Sequence, residues 1–506
     1  MLVAGVDSST QSCKVVLCRA EDGTVIGRGS APHPPGTEAD PAAWWTALLQ
    51  AGEGLLERAD AVGVAGQQHG MIVLDSGGEV IRPALLWNDL RSAPAAAELV
   101  AEFGGPQWWA SQVGSVPTAS FTVTKLRWLA RHEPASAARA ASVLLPHDWL
   151  TWRLRRGVGE RSSHGKSAEM GGSAGSTPPV TDRGDASGTG YFSTASGDWR
   201  PDLAEAAIGH PLELPRVAEP AEVVGQTAWG AAVSAGTGDN MGAALGLGLG
   251  PGDLAVSIGT SGTAFAVSHV PAADPSGAVA GFADATGRFL PLVCTVNAGL
   301  VLSAAASLAG TDLDGLSALA LAAEPGAGGI TLLPYLDGER TPDRPGATGV
   351  LRGLTTRNAT RENLARAAVE AVLASLADAA DLLTGQGAGG QGAGSQAAAA
   401  PEAAAGAPPP RRQRRVLLIG GGARSAAVCA LAPGLFFSPV LVPEPEEYVA
   451  LGAARQAAWA LARTPEPPAW PARPAATHTG AAQPEIRELH AALRDDTATW
   501  KVSAGF

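Results

Sequence analysis

Basic residues near the start and long apolar runs are both missing from this sequence. The first residues, MLVAGVDSST, hold no lysine or arginine, and an acidic residue already stands at position 7. The Ala-rich stretches further along are broken by Arg, Glu, Gly and Pro, so no apolar run reaches the roughly 20 residues that span a bilayer. A secretory signal peptide needs a basic segment followed by an apolar one. We therefore expect a cytoplasmic protein without a membrane segment.

Positive charge is also scarce. Lys and Arg together number 36 against 48 Asp and Glu, which leaves a net charge of −12. Proteins that bind nucleic acid or anionic membranes generally carry a basic surface, because phosphate groups dominate both targets. The sequence therefore predicts no nucleic-acid partner and no membrane partner.

Several well-known catalytic and metal-binding patterns are absent. The four cysteines are scattered without a CxxC pair, which indicates thiols in a reducing compartment rather than a zinc site or a disulfide framework. The nine histidines lack metal-ligand spacing, and neither HExxH nor GxxxxGK[ST] occurs. GxSxG occurs as GGSAG inside the Gly- and Ser-rich segment 157–183, without the preceding strand that a nucleophile elbow needs. Zinc peptidases, P-loop nucleotide hydrolases and serine hydrolases of the usual form are thereby excluded.

Strand and helix patterns alternate along the chain. The segments LVAGVDSST, KVVLCRA and GTVIGRGSA predict strands joined by turns, and LAVSIGTSGTAFAVSHV repeats this pattern near the middle. Helical periodicity follows each start, for example in VTKLRWLARH and LARAAVEAVLASLADAADLL. The predicted fold class is therefore α/β with mixed sheets, and the two similar starts suggest two related halves.

With 506 residues, of which 45% are hydrophobic, the chain is long enough for more than one domain. We predict an N-terminal domain over 1–248, a C-terminal domain over 249–463 and an extended tail over 464–506 with one last helix. Residues 157–183 and 385–415 are rich in Gly, Ser, Ala and Pro, and we predict that they are surface loops inserted into the two domains.

A carboxylate stands beside hydroxyl groups where the first predicted strand ends. Asp7 precedes Ser9 and Thr10. Backbone N–H groups and hydroxyls of such a turn suit phosphate oxygens, and the carboxylate suits a magnesium ion or its waters. An Asx-turn that merely closes a hairpin is an equally good interpretation of this segment alone.

Two further turns consist of small residues. The first turn, which begins at Gly259, contains no acidic residue. Together with the turn at Asp7 it fits two hairpins that hold one nucleotide. The second follows the strand VLLI and lets the backbone approach a flat ligand closely, although alone it is also typical of a tight strand-to-helix turn. The residues are Gly259, Thr260 and Ser261 in the first turn and Gly421, Gly422 and Ala423 in the second.

A second aspartate and a cluster of uncharged polar residues complete the candidate site. Asp239, in GTGDN, is followed by Asn240 and a helix-compatible stretch, so it is either a helix cap or a general base for a substrate hydroxyl. Gln68 and His69 follow an apolar strand, and Trp87 lies in WNDLR. Amides, an indole and few charges predict a pocket for a neutral polyhydroxylated substrate.

Taken together, these segments resemble the FGGY carbohydrate kinases, and among them the members that act on xylulose. The match covers nearly the whole chain, apart from the two insertions and the tail. It consists of ten short motifs in the same order: VDSSTQSCK, AGQQHG, LLWNDLR, FTVTKLRW, LLPHDWL, GTGDN, SIGTSG, LLPYLDGERTP, LIGGGARS and EYVALGAARQAA.

The resemblance implies two ribonuclease H-like domains of the actin type, with ATP and sugar in an inter-domain cleft, and a homodimer. It implies phosphorylation of D-xylulose at O5 with MgATP, and Asp239 as the general base. Asp7 would lie near the transferred phosphate and Mg²⁺, directly or through water. The other implied roles are phosphate binding by Ser9, Thr10, Gly259, Thr260 and Ser261, adenosine binding by Gly421, Gly422 and Ala423, and sugar binding by Gln68, His69, Trp87 and Asn240.

Other interpretations stay open at this point. Gln68 stands where the family often has Met, so another sugar or polyol such as ribulose, gluconate or glycerol is an alternative substrate. An actin-like ATPase or a catalytically inactive sugar sensor would share the phosphate turns, but neither explains both the sugar-pocket residues and the two aspartates.

Overall fold

A computed structural model describes residues 1–156, 178–384, 415–473 and 475–500. The predicted loops therefore lie largely outside the described residues, but residues 178–183, which we assigned to the first loop, do not. They include a buried strand that pairs with another strand, so the predicted end of that loop is wrong.

Strands and helices alternate along the whole described chain. The strands are β1 Leu2–Ser8, β2 Ser12–Arg19, β3 Val25–Pro32, β4 Glu38–Ala39, β5 Ala61–Gly66, β6 Ile72–Leu74, β7 Ala84–Leu85, β8 Ser142–Leu144, β9 Val180–Asp182, β10 Phe192–Ser193, β11 Asp198–Trp199, β12 Arg216–Ala218, β13 Val223–Gln226, β14 Ala232–Ser234, β15 Thr237–Gly238, β16 Leu254–Ile258, β17 Gly262–Ala266, β18 Ala280–Ala283, β19 Phe289–Thr295, β20 Thr331–Leu333, β21 Val350–Arg352, β22 Val416–Ile419, β23 Val440–Pro443 and β24 Ala475–His478. The helices are α1 Pro41–Ala51, α2 Ala93–Glu102, α3 Pro106–Val113, α4 Thr122–His132, α5 Pro134–Arg139, α6 Pro146–Arg156, α7 Arg183–Ala186, α8 Pro201–Ile208, α9 Asp239–Gly246, α10 Gly299–Leu308, α11 Leu313–Ala322, α12 Arg361–Thr384, α13 Ala426–Phe436, α14 Tyr448–Ala462 and α15 Pro484–Asp496. The α/β class predicted from the sequence is confirmed.

The chain divides into two compact units whose bounds are not sequential. Unit 1 comprises Met1–Leu249, Val267–Pro291 and Glu446–Arg473, and unit 2 comprises Gly250–Ala266, Leu292–Pro445 and Pro474–Phe506. Helix α14 thus belongs to unit 1, although it follows most of unit 2 in the sequence. Among the described residues, no helix combines the length and apolar character that a membrane crossing requires.

A mixed seven-stranded sheet forms the framework of unit 1. Its strand order is β13-β14-β5-β1-β2-β3, and β15 also pairs with β5. The predicted antiparallel meander β1-β2-β3 is confirmed, and β1 runs parallel to β5. Asp7 lies opposite Ala65 of β5, and Gly238 lies opposite Gly66. Because β1, β5 and β15 are parallel, their carboxyl ends reach the same edge, where Asp7, Gln67 and Asp239 emerge.

Glycines allow α14 to pack closely on this sheet and on α9. A Cβ at Gly5 of β1 would collide with the carbonyl oxygen of Ala450, and one at Gly63 of β5 would collide with that of Ala453. Between α9 and α14, a Cβ at Gly452 would collide with the carbonyl oxygen of Gly242, and one at Gly246 would collide with that of Tyr448. Each substitution would force the backbones apart, since the colliding atoms belong to rigid elements. The position of α9, which begins with Asp239, thus depends on this contact.

Unit 2 contains a second mixed sheet with strands in the order β19-β17-β16-β22-β23-β24. The predicted hairpin β16-β17 is confirmed, and β16 pairs in parallel with β22, as β1 pairs with β5 in unit 1. The last helix predicted for the tail is confirmed as α15, but the tail is not an extended appendage. Strand β24 pairs with β23, and Arg487 of α15 binds Asp378 and Asp381 of α12 at 2.6 and 2.7 Å.

Candidate active site

The first turn of the candidate site follows β1. Asp7 is buried, with 3% of its surface exposed. Ser9 Oγ donates a hydrogen bond to Asp7 Oδ1, and His33 Nδ1 donates to the carbonyl oxygen of Ser9 at 2.8 Å. Trp87 Nε1 donates to the Thr10 hydroxyl at 2.8 Å, so the indole is attached to the same turn. Asp7 thus accepts a hydrogen bond within its own turn, as the Asx-turn interpretation predicts. The same turn also carries the hydroxyls of Ser9 and Thr10 next to this buried carboxylate in the sequence.

Asp239 begins α9 and is held by its neighbour. The N-cap of α9 is Gly238, so the interpretation of Asp239 as the cap residue is wrong. Asp239 Oδ1 accepts hydrogen bonds from the backbone N–H of Asn240 at 2.7 Å and from Asn240 Nδ2 at 2.9 Å. Asn240 Nδ2 also donates to Gln68 Oε1 at 3.0 Å. One oxygen of Asp239 is therefore fixed by a chain of amides that ends in the loop after β5.

The negative charge of Asp7 affects the ionisation of Asp239. Burial, followed by the negative charge of Asp7, raises the pKa of Asp239 to about 7. Burial raises the pKa of Asp7 to about 6, although Ser9 and the charge of Lys14 oppose the shift. A carboxyl group with a pKa near neutrality exchanges a proton readily at physiological pH, which is the property of a general base.

His69 has an unusual backbone conformation and a defined tautomer. Its φ of 67° lies in the left-handed region, which non-glycine residues adopt at a cost. Nδ1 donates to the carbonyl oxygen of Gly188 at 2.6 Å, and the ring packs against Phe121 and Phe282 with centroid distances of 4.8 and 5.7 Å. Since a carbonyl only accepts, Nδ1 carries the hydrogen, and Nε2 of the neutral ring is an acceptor.

The predicted turn of small residues in unit 2 lies between β16 and β17, and its three residues are exposed. Gly259 and Thr260 accept hydrogen bonds through their carbonyl oxygens from the N–H groups of Gly299 and Leu300, at 2.9 and 3.2 Å. Gly259 N–H donates to the carbonyl of Ser261 at 3.0 Å. The turn thus packs against the start of α10, and its hydroxyl side chains remain at the surface.

The glycine turn after β22 combines a close contact with an open surface. Gly420 has a φ of 86°, and a Cβ on Gly422 would collide with the side chain of Ile258. Gly421 begins a short 3₁₀ helix, is exposed, and has open space where a Cβ would stand. Ala423 follows and is half-buried. The backbone at Gly421 is therefore accessible to a ligand of unit 2.

A buried lysine behind the His69 turn was not predicted from the sequence. Lys125 of α4 is fully buried, and its Nζ donates to the carbonyl oxygens of Ser120 and of His69, the latter at 3.3 Å. Burial lowers the pKa of Lys125 to about 7. The sequence did carry a signal for this contact, because Lys125 stands among the apolar positions of the predicted helix VTKLRWLARH. An ammonium group buried there must find carbonyl or carboxylate partners.

A buried cluster of one histidine and three aspartates was missed as well. His147 and Asp148 begin α6, and Asp182 and Asp185 flank the start of α7. His147 Nδ1 lies 2.6 Å from Asp185 Oδ2 and 3.3 Å from Asp148 Oδ1. The adjacent His-Asp pair and the two acids in TDRGD were visible, but no sequence spacing indicates that they meet.

The chain is similar to known proteins over most of its length. Residues 2–247 match the N-terminal domain of the FGGY family of carbohydrate kinases, and residues 254–461 match its C-terminal domain. The chain is 44% identical over 476 residues to a xylulose kinase of Streptomyces coelicolor, covering 91% of this chain and 88% of the relative. It is 45% identical over 492 residues to a xylulose kinase of Streptomyces rubiginosus, covering 93% and 90%.

Solved structures extend the similarity to the fold. The crystal structure of xylulose kinase from Bifidobacterium adolescentis is 43% identical, with a TM-score of 0.85 over 98% of this chain and 99% of that chain. The family matches together cover most of the sequence and include both candidate aspartates. This chain therefore belongs to the FGGY family of carbohydrate kinases.

Proposed function

We propose that this protein transfers the γ-phosphate of ATP to O5 of D-xylulose, giving D-xylulose 5-phosphate and ADP. The observation that carries the proposal is the similarity, over nine-tenths of the chain, to relatives named as xylulose kinases. The chain's own residues add support, since a carboxylate with a pKa near 7 is linked through amides to the loop after β5. The implied homodimer and cytoplasmic location stay predictions.

In this proposal Asp239 is the general base. The carboxylate takes the proton from the O5 hydroxyl as that oxygen attacks the γ-phosphorus, while the bond from phosphorus to the ADP oxygen breaks. Asn240 donates two hydrogen bonds to Oδ1 and restricts the rotation of the carboxylate. A positioned base of suitable pKa contributes typically about 10²–10⁴-fold to such a reaction.

The proposed sugar contacts are uncharged. Gln68, Asn240 and the Nε2 acceptor of His69 offer amide and imidazole groups to hydroxyls, and Trp87 offers an indole surface that is 37% exposed. Neutral donors and acceptors suit a ketose, whereas an aldonate would call for a cation. These contacts support the choice of a neutral sugar.

The phosphates and adenosine are assigned to the small-residue turns. In unit 1, Ser9 and Thr10 are proposed to contact phosphate oxygens. In unit 2, Gly259, Thr260 and Ser261 are proposed for further phosphate oxygens, and Gly421, Gly422 and Ala423 for adenosine. The exposure of Gly421 and of the Gly259 turn supports this assignment, because a ligand can reach their backbones.

Magnesium is proposed to be held at Asp7. The residues fit a hard cation, since the buried carboxylate of Asp7 and the hydroxyl of Ser9 that donates to it are oxygen donors. When bound, Mg²⁺ neutralises charge that develops on the transferred phosphoryl group. Asp7 then holds the metal or one of its waters.

The proposal is tested by measuring ADP release with MgATP and a panel of pentuloses, hexuloses, polyols and aldonates. We expect strong and selective stimulation by D-xylulose and a product phosphorylated at O5. Stimulation by another sugar alone would overturn the substrate and point to the loop that carries Gln68. ATP hydrolysis that no sugar accelerates would overturn the kinase assignment.

Replacing Lys125 by methionine should weaken sugar binding more than ATP binding. The substitution removes the ammonium that donates to the carbonyl of His69, whose left-handed backbone then lacks this support. We expect KM for D-xylulose to rise by about tenfold while KM for ATP changes by less than about twofold. Steady-state kinetics measure both values.

The matched control is Arg131→Met on the same helix. Arg131 is about half exposed and forms an ion pair with Glu98, so its loss should leave both KM values unchanged. An unaltered KM for D-xylulose in Lys125→Met would contradict the role of the buried ammonium.

A further inference from the structure

His147 donates a hydrogen bond to Asp185 inside a buried cluster of acidic residues. His147, Asp148 and Asp185 are each at most 1% exposed. Asp185 Oδ2 is 2.6 Å from His147 Nδ1, and its other oxygen has no hydrogen-bond partner among the described residues. Although burial alone would lower it, the neighbouring carboxylates raise the pKa of His147 to about 9. An imidazolium between these two carboxylates balances one of their two negative charges.

A metal ion is the other chemistry that such a cluster suggests. One donor atom from each of the three residues lies within 4.8 Å of the others. However, the 2.6 Å distance between Nδ1 and Asp185 Oδ2 is that of a charge-assisted hydrogen bond, in which the nitrogen carries a proton. The nitrogen cannot donate this proton and ligate a cation at the same time. The geometry therefore favours a proton in the cluster.

The imidazole lies against both segments that lead into the candidate active site. A Cβ on Gly66, the last residue of β5, would stand 2.9 Å from the Cβ of His147. A Cβ on Gly236, just before β15, would stand 2.6 Å from His147 Cδ2. The first segment continues into Gln67-Gln68-His69 and the second into Thr237-Gly238-Asp239. His147 thus touches the backbone that places the proposed sugar loop and the proposed base.

Helix α7 provides a second connection to the same two segments. Asp182 caps α7 by accepting from the N–H groups of Gly184 and Asp185, and it also accepts from the Thr237 hydroxyl at 2.8 Å. Just after α7, the carbonyl of Gly188 accepts from His69 Nδ1. The contact of His147 with Asp185 therefore attaches α6 to a helix that orients both His69 and the strand before Asp239.

We propose that His147 is a cationic positioning residue, whose imidazolium balances one of the two negative charges of Asp148 and Asp185, holds Asp185 through Nδ1, and thereby fixes α7, the His69 ring and the approach to Asp239. This inference rests on the proposed function. Without the cation, two buried carboxylates would lie close together with no counter-charge, and they would have to gain protons, gain water or move apart. Any of these changes shifts α7 and, with it, the Gly188 carbonyl that sets the His69 tautomer.

The central experiment compares His147→Gln with the double variant His147→Gln/Asp185→Asn. The single variant removes the positive charge, and we expect KM for D-xylulose to rise and kcat to fall, each by about tenfold, with KM for ATP within about twofold of wild type. The double variant also removes one negative charge and pairs two amides. It should recover about threefold or more of the lost kcat/KM for D-xylulose.

Leu150→Ala is the matched control for simple loss of stability. Leu150 lies on α6, like His147, but belongs to the apolar core of unit 1. Its truncation leaves a cavity in the core and should lower Tm, while leaving the sugar kinetics of the folded enzyme unchanged. The proposal is overturned if His147→Gln behaves like this control, with lower Tm and unchanged KM for D-xylulose, or if the double variant recovers nothing.

A measurement without turnover separates this inference from the proposed function. The ¹⁵N chemical shifts of the His147 ring, assigned by their loss in His147→Gln, report its charge in the full chain. At about pH 7.5 we expect both ring nitrogens to be protonated, unlike those of an ordinary histidine. A neutral ring would overturn the inference even for an active enzyme. A charged ring in a chain that phosphorylates no sugar would instead overturn the proposed function alone.

Discussion

Asp239→Asn should remove most phosphoryl transfer while keeping the fold and the binding of D-xylulose. Asparagine preserves the shape and can still accept hydrogen bonds from Asn240, but it cannot take a proton from the sugar hydroxyl. We expect kcat to fall by about 10²–10⁴-fold, with a change in the dissociation constant of D-xylulose below about threefold. ADP release under saturating substrates gives the first value, and isothermal titration without ATP gives the second.

Asp312→Asn is the matched control for this substitution. Asp312 also stands at the start of a helix, where its Oδ1 accepts from the N–H of Gly315 at 2.8 Å as the N-cap of α11. It lacks the burial that raises the pKa of Asp239. We expect Asp312→Asn to keep wild-type kcat. Undiminished turnover in Asp239→Asn would contradict its role as the base.

The pH profile supplies an independent readout of the same residue. Burial and the charge of Asp7 raise the pKa of Asp239 to about 7, and only the ionised carboxylate accepts the proton. The kcat/KM for sugar should therefore rise with pH through about 7 and then level off. The residual activity of Asp239→Asn should lack this rise, whereas Asp312→Asn should retain it.

Much of the candidate site was predictable because it lies where predicted strands end. Asp7, His69 and Asp239 each follow a short apolar segment, and the parallel pairing of β1, β5 and β15 brings those ends to one edge of the sheet. The sequence also indicated the β1-β2-β3 meander and the long helix α12, since the patterns of local periodicity there are strong. Local patterns sufficed wherever a residue's role depends on its own element.

Contacts between distant elements could not be predicted in this way. His147 and Asp185 are 38 residues apart, on helices joined by a segment that composition marks only as a loop. The register of α14 depends on glycines such as Gly5, which pack against a helix more than 400 residues later. Neither pairing has a local signal, because each partner also fits an ordinary helix or strand. The buried charged residues behind the site, such as His147 and Asp185, could therefore be identified only from the three-dimensional structure.

Asp7→Asn is the second substitution with a large expected effect. Asp7 is proposed to hold Mg²⁺ beside the transferred phosphate, so we expect kcat to fall by about 10²–10⁴-fold and the Mg²⁺ concentration for half-maximal activity to rise. KM for D-xylulose should change little, because the amide chain from Asp239 to Gln68 does not include Asp7. Titration of ADP release with Mg²⁺ at fixed ATP measures the effect.

The matched control for Asp7→Asn is Asp60→Asn, at the opposite end of strand β1 from Asp7. Asp60, just before β5, accepts from the N–H of Leu2 at 2.8 Å, and Leu2 begins β1. Asp60→Asn therefore changes an acid beside β1 without touching the turn at Asp7. It should keep the wild-type Mg²⁺ dependence. An unchanged Mg²⁺ requirement in Asp7→Asn would contradict the metal role.

Stability should move in the opposite direction from activity at this position. Since burial raises the folded-state pKa of Asp7 to about 6, its ionised form is disfavoured in the fold, and stability is lost as pH rises above the ordinary value of 3.8 towards 6. Asparagine carries no charge, so Asp7→Asn should match or exceed the wild-type Tm at about pH 8, with a gain in the free energy of unfolding on the order of 3 kcal/mol at most. A buried carboxylate that lowers the stability of the fold is expected where the chemistry of phosphate transfer requires that carboxylate. A lower Tm in Asp7→Asn would instead show that Asp7 stabilises the turn after β1.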